Sequence, residues 1–436
     1  MGKFKRRQRY SLPFGLFLAV VGALLLPAAV APRANAGSTD SQGMLIAQPG
    51  AVQPFQVDAL FSWTGATNTT WSTSTNWSPS GPPTGTDTAA FNSSFSNQPN
   101  VTAATTVGSL LMTDPVAQNV TISNTGGGSV LTINGIAGTG ILINNTNAFT
   151  LTVSATLRLG ADQAWTNNSG NVFTVGPVNL NNNALTVNGT GNTTMSGIIA
   201  SGGGSLTKDG TGTLIVTANN TYGAGTIVNG GTLLVNGTGD LGTQTVTVNS
   251  GGTLGGNSTA PITANVLLTV NAGGNLSPGN GGNNTAVLIT GGAVTLASTS
   301  NFRIDINGTT AGTGYDRLQV NAGAVNVTGS NLVVTVGTTL SAGQQFLVLD
   351  KVAAGAITGT FGNAPGNVVT GSDGTVFSVS YTGGNGNDVV LTVIAVAVPE
   401  PSTWIGGTLA IAGLAFTQRR RLRKLIPRRC AVGSSS

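Results

Sequence analysis

The chain contains no histidine, one glutamate and one cysteine among its 436 residues. Without histidine, most zinc ligand sets and every Ser-His or Cys-His nucleophile system lack a necessary member. One cysteine cannot build an internal disulfide framework. Charged residues make up 7% and aromatics 5%, so the chain is neither a highly charged disordered polymer nor a helix-rich enzyme of ordinary composition. The apolar share of 39% is enough to bury a core, and 65 glycines divide the chain into short segments. An all-β chain with many turns is expected. No catalytic, cofactor-binding or metal-binding residue follows from the composition.

The basic residues behind the formal charge of +5 are concentrated at the ends. Lys3, Lys5, Arg6, Arg7, Arg9 and Arg33 lie at the start, and Arg419, Arg420, Arg421, Arg423, Lys424, Arg428 and Arg429 near the finish. Between Gly37 and Val398 only Arg158, Lys208, Arg303, Arg317 and Lys351 stand against twelve aspartates, a net charge of −7. A nucleic-acid partner has no basic face to bind.

The first end reads as a secretory signal. Basic residues precede an apolar run from Phe14 to Leu26, and Ala34-Asn35-Ala36 forms a small-x-small cleavage site before Gly37. The apolar run falls short of the roughly 20 residues that span a bilayer, so cleavage is expected in preference to retention as an anchor. The Sec translocon and a signal peptidase are the partners this implies.

The body alternates apolar and polar residues in runs of four to seven, as in Val130-Leu131-Thr132-Ile133 and Leu185-Thr186-Val187. The runs also repeat. Thr247-Val248-Asn249-Ser250-Gly251-Gly252-Thr253-Leu254 returns as Thr269-Val270-Asn271-Ala272-Gly273-Gly274-Asn275-Leu276, and Ile227 to Leu233 is a shortened earlier copy. A strand-bearing repeat of about 20 residues indicates a solenoid, each turn stacked on the next around one core. Glycine pairs then turn the corners, and Asn and Thr columns stack along the outside.

Leu206-Thr207-Lys208-Asp209-Gly210-Thr211-Gly212-Thr213-Leu214, followed by Asn219-Asn220-Thr221-Tyr222 and Asn229-Gly230-Gly231-Thr232-Leu233, resembles the autotransporter-associated β-strand repeat, also called the passenger-associated transport repeat. Gly314 to Val320 and Tyr381 to Leu391 are similar to segments that accompany such repeats in large surface proteins. The resemblance implies an all-β, right-handed parallel β-helix passenger, without the family's β-barrel translocator.

Pro399-Glu400-Pro401-Ser402-Thr403-Trp404, the apolar stretch Ile405 to Phe416 and the basic cluster Arg419, Arg420, Arg421, Arg423 and Lys424 follow in order. A prolyl motif, a membrane-stalling segment and cytoplasmic arginines suit a C-terminal single transmembrane segment. The arrangement resembles the PEP-CTERM sorting signal of Gram-negative bacteria. That resemblance implies processing by an exosortase, transient residence in the inner membrane and release to the cell surface, exopolysaccharide or biofilm matrix. A simple tail anchor is the other reading, and Cys430 lies beyond the cluster.

Three tryptophans, Trp63, Trp71 and Trp77, fall within fifteen residues. They serve either as glycan-stacking platforms or as the core of a cap over the first rung. The pattern Gly237-Thr238-Gly239-Asp240-Leu241-Gly242 matches G-x-G-x-x-G but precedes a strand, so a turn is expected. Gly383 to Leu391 fits a calcium-binding nonapeptide in a single copy, which supplies half a site or else a hairpin. Asp305 and Asp316 with Arg303 and Arg317 are the only local acid/base cluster, the basis for a glycan hydrolase or lyase as alternative.

The expected organisation is a signal peptide at 1–36, a linker at 37–60 and a tryptophan-bearing cap at 61–112. A β-solenoid follows at 113–300 with the repeat at about 206–235, then a β-rich segment at 301–394 and the sorting signal at 395–436. The functional expectation is a secreted structural or adhesive surface protein and not an enzyme; a glycan-binding or glycan-cleaving β-helix is the alternative.

Overall fold

The computed structural model describes residues 58–200, 202–262, 266–280 and 284–396, together with 414, 415, 418 and 419. The signal-cleavage residues Ala34, Ala36 and Gly37 lie outside the described residues. So do Pro399, Glu400, Pro401, Arg420, Arg421, Arg423 and Lys424; Arg419 is described only as an exposed residue in a helical pair. Among the described residues no helix is long and apolar enough to cross a membrane.

The described chain is a parallel β-solenoid built from two long sheets. One has thirteen strands and ends at Val325–Asn326, and the other has eleven and runs from Asn100–Val101 to Asn331–Val336. Neighbouring strands in each sheet are one turn apart in sequence. Leu185 pairs with Leu206, Leu206 with Thr226, Thr226 with Val246 and Val246 with Leu268, all in parallel register. The repeat seen in the sequence is therefore the rung itself: Thr247 lies beside Thr269 and Leu254 beside Leu276.

Period-2 alternation decides which side chains enter the core. Leu214, Leu233, Leu254, Leu276, Phe302 and Leu332 form one inward column of register partners, each at most 1% exposed. Burying a side chain of this size contributes about 1.5–3 kcal/mol, and the column repeats that gain at every rung. Between the two sheets the chain turns a corner after Asn249 and again after Asn271. Gly251 takes φ +85° there and Gly231 takes +62° at the preceding rung, a region where a side chain strains the backbone. At Gly231 space also forbids a Cβ, which would lie 2.4 Å from the Gly212 carbonyl oxygen.

A third face consists of a five-stranded sheet over the first half and a six-stranded sheet over the second. Single backbone bonds continue it between them, from Thr221 N–H to Ile199, from Leu241 N–H to Ile262 and from Ile262 N–H to Ile289. Late turns lengthen, since Leu268 pairs with Val294 and Val294 with Val325. At the N-terminal end the strand Trp77–Ser78 pairs antiparallel with Leu60–Trp63. At the other end the strands Val368–Thr370, Val376–Gly383 and Asp388–Ala395 fold back antiparallel.

Candidate functional site

The most regular chemistry of the molecule lies on the outward face of the thirteen-stranded sheet and on the corner beside it. Outward positions stack one per rung as Thr186, Thr207, Ile227, Thr247, Thr269 and Thr295. Two residues further along each strand stands a ladder of amides. Asn229 donates its Nδ2 to Asp209 Oδ1 at 2.9 Å, Asn249 to Asn229 Oδ1 at 2.7 Å, and Asn271 to Asn249 Oδ1 at 2.7 Å. A primary amide has two donor hydrogens and two acceptor lone pairs, so each ladder amide that joins both neighbours has one of each left over. A shorter ladder on the eleven-stranded sheet joins Asn331 to Asn301 at 3.1 Å and Asn301 to Asn275 at 3.0 Å. Arg303 donates Nε to Asn275 Oδ1 at 3.0 Å.

Beneath the long ladder a cation is buried. Lys208 alternates inward with Leu206 and is 2% exposed. Its Nζ donates to the carbonyls of Asp209 at 2.5 Å, Gly210 at 3.2 Å and Gly230 at 3.3 Å. It thereby satisfies corner oxygens of two successive turns that the sheets leave unpaired. Burial pushes its ammonium down to about 8, opposed by the neighbouring Asp209 carboxylate. Lys351 has a related place at the last parallel rung, 1% exposed, with Nζ bonded to the carbonyls of Ala353 and Ala354.

The three tryptophans are brought together by the fold. Trp63, Trp71 and Trp77 are at most 3% exposed. Trp77 meets the other two edge to face at 4.9 and 4.8 Å between ring centres. Trp63 Nε1 donates to the Asn97 carbonyl and Trp77 Nε1 to the Trp71 carbonyl, both at 2.7 Å. None of the rings presents a face to a sugar, because they pack against one another beside the first parallel strand.

The aspartate and arginine cluster separates into individual structural tasks. Asp316 is fully buried and accepts the Ala286 N–H at 2.8 Å and the Asp305 N–H at 3.0 Å. Burial pushes its carboxyl up to about 7. Arg317 pairs with Asp350 at 3.5 Å, while Arg303 belongs to the short ladder. A groove of about 340 Å³ nearby is lined by amide and hydroxyl side chains including Asn257, Asn280, Thr285 and Thr313, and no carboxylate lines it.

The two glycine motifs are turns. Asp240 accepts the N–H groups of Asn220 at 2.7 Å and Gly242 at 3.3 Å, and no helix follows it. In the nonapeptide, Gly383 pairs with Asp388 across a hairpin. Asp388 gives one oxygen to the Lys351 N–H and the other to the Asn385 N–H. Among the described residues no group of three or more Cys, Asp or Glu gathers as a metal cluster.

Sequence reasoning overlooked the buried lysines. The signal for Lys208 was the alternation itself, which places it on the same side of its strand as Leu206. No curated protein matches the chain. Residues 206–235 match the model of the passenger-associated-transport-repeat family, and these rungs carry Lys208, Asp209 and Asn229, so the solenoid holds a repeat of the passenger type where the ladder begins.

Proposed function

We propose that this protein is an exported structural or adhesive rod of the cell surface, wound as a right-handed parallel β-helix, whose task is to present rigid, nearly uncharged faces. The observation that carries the reading is the rung-to-rung stacking of threonine and asparagine side chains that begins in the passenger-type repeat and continues beyond it, interrupted at Ile227. Right-handed winding accords with the strong chiral preference of parallel crossovers. Export through the Sec translocon, trimming by signal peptidase after Ala36, and sorting at Pro399-Glu400-Pro401 by an exosortase-type enzyme complete the proposal. Under it the apolar segment and the basic cluster Arg419, Arg420, Arg421, Arg423 and Lys424 hold the chain briefly in the inner membrane. The destination is then the surface or an exopolysaccharide matrix.

The test is the intact mass of the extracellular form in a host with the sorting system, beside a Glu400→Ala variant. The expected product begins at Gly37 and ends between Pro399 and Trp404, and the variant fails to yield it. A cell-bound form that retains Arg419 to Ser436 and is unchanged in the variant refutes the sorting step.

A further inference from the structure

We propose that the outward face of the thirteen-stranded sheet, from Thr186 to Thr295, is a docking track for a straight, uncharged glycan chain lying along the solenoid axis. The proposal rests on the reading of the protein as a surface rod and names the face and the partner.

Charge selects the chemistry. Over these rungs the outward positions carry threonine, serine, asparagine, alanine, glycine, leucine and isoleucine, with Asp209 as the sole charged side chain. One oxygen of Asp209 is already bonded to Asn229. Arg158, Arg303 and Arg317 stand on the other sheets, so an anionic polymer finds no counter-charge on this face.

Spacing selects the form. Strands repeat about every 4.8 Å along the axis, and threonine or asparagine recurs on most rungs, with Ile227 in the threonine column and Asp209 and Ala297 at the ends of the amide ladder. A ligand that repeats its own hydroxyls engages several rungs at once, and weak contacts add by multivalency. The ladder also leaves polar capacity, because an amide bonded once as donor and once as acceptor along the axis keeps one further donor hydrogen and one further acceptor lone pair. Ile227 and Leu267, 40% and 39% exposed, break the polar surface on this face. With the threonine methyls they offer apolar treads for the C–H faces of sugar rings.

The eleven-stranded sheet lacks this continuity. Its outward column begins with Thr121, Thr152, Thr174 and Thr194 but passes to Ile215, Leu234 and Gly255, and Leu234 is only 6% exposed. That column supplies a control face.

The experiment uses the secreted full chain, with microcrystalline cellulose as the neutral probe and alginate as the anionic one. Thr247→Arg with Thr269→Arg places two bulky charges on the track, and Thr152→Arg with Thr174→Arg places them on the control face. All four positions point outward, and circular dichroism confirms that each variant is folded. The expected result is salt-insensitive retention on cellulose, weakened about tenfold by the first pair and unchanged by the second. Absence of retention by the unaltered protein, equal loss with both pairs, or retention on alginate alone overturns the proposal. So does a dimer in sedimentation that only the first pair dissolves, since the track then belongs to a second copy. Correct processing without retention defeats this inference alone, whereas retention without processing at Glu400 defeats the sorting proposal alone.

Discussion

Asn249 and Asn229, twenty residues apart, lie side by side with the amide of one bonded to the carbonyl of the other at 2.7 Å. The bond runs along the solenoid axis, perpendicular to both strands, and it ties together two turns that the backbone ladder already joins. The chain of such bonds is directional, since every donor points toward Asp209. Asn249→Ala is expected to cost about 0.5–1.5 kcal/mol, read as a lower urea midpoint. The ladder stops at Asn271 because Ala297 stands at the next rung, directly after Leu296, the partner of Val270. Ala297→Asn adds a donor there and is expected to raise the midpoint by a comparable amount; a fall would show that the ladder is incidental to stability.

Lys208 is the second testable element. Lys208→Met keeps the apolar stem but leaves the Asp209, Gly210 and Gly230 oxygens without their donor, and each stranded buried acceptor costs about 1–3 kcal/mol. A pH effect accompanies it. The folded ammonium titrates at about 8 because burial disfavours its charge, below the ordinary lysine value of about 10.4. Between those values the unfolded chain holds a proton that the folded chain has released, so stability rises as pH climbs through the window. The methionine variant should lose that rise. An unaltered slope in urea titrations between pH 8 and pH 10 would contradict the assignment.

Asp316 has the opposite slope. Burial pushes its folded carboxyl up to about 7, with the nearby Asp305 charge adding to the shift. Between the unfolded value near 4 and about 7 the folded protein holds a proton that the unfolded chain lacks. Stability from this group is therefore complete at low pH and is lost as pH rises through 7. Asp305, Asp240 and Asp350 are also raised by burial and act in the same direction. Asp316→Asn is expected to reduce the slope and to strand one backbone N–H, since a side-chain NH₂ cannot accept; thermal unfolding at pH 5 and pH 8 measures both effects. A variant whose pH dependence equals that of the unaltered protein would refute this.

The rungs and corners were legible because each is a local pattern repeated. Thr-Val-Asn followed by a glycine pair specifies an outward hydroxyl, an inward valine, a corner amide and a left-handed turn, and register between copies follows from aligning them. The tryptophans were ambiguous because indole serves equally well as core and as sugar platform. The burial of the rings depends on residues distant in sequence, such as Asn97, which accepts the Trp63 N–H, and no local pattern marks that contact. Asp316 is ambiguous for a related reason, since a carboxylate beside an arginine has the same sequence signature whether it serves substrate or backbone. The lengthened turns beyond Leu268 carry no repeat, so nothing periodic marked where the third face resumes.

Both ends of the solenoid are sealed. At one end the Trp71 N–H donates to the Asn100 carbonyl and the Asn100 N–H to the Thr69 carbonyl, and Trp77 pairs at the edge of the adjoining sheet. At the other, the open side of the last parallel strands is occupied by Thr358, Gly362 and Ser372, which bond to Val325, Ser330 and Val334. Asn363 fills the gap at Leu332 with its amide. Edge strands left bare are templates for another chain, and here none of those groups is available. Another chain could lengthen the solenoid at these groups only by first displacing the segments already bonded to them, so the span of the described body is set by the number of rungs in its own sequence.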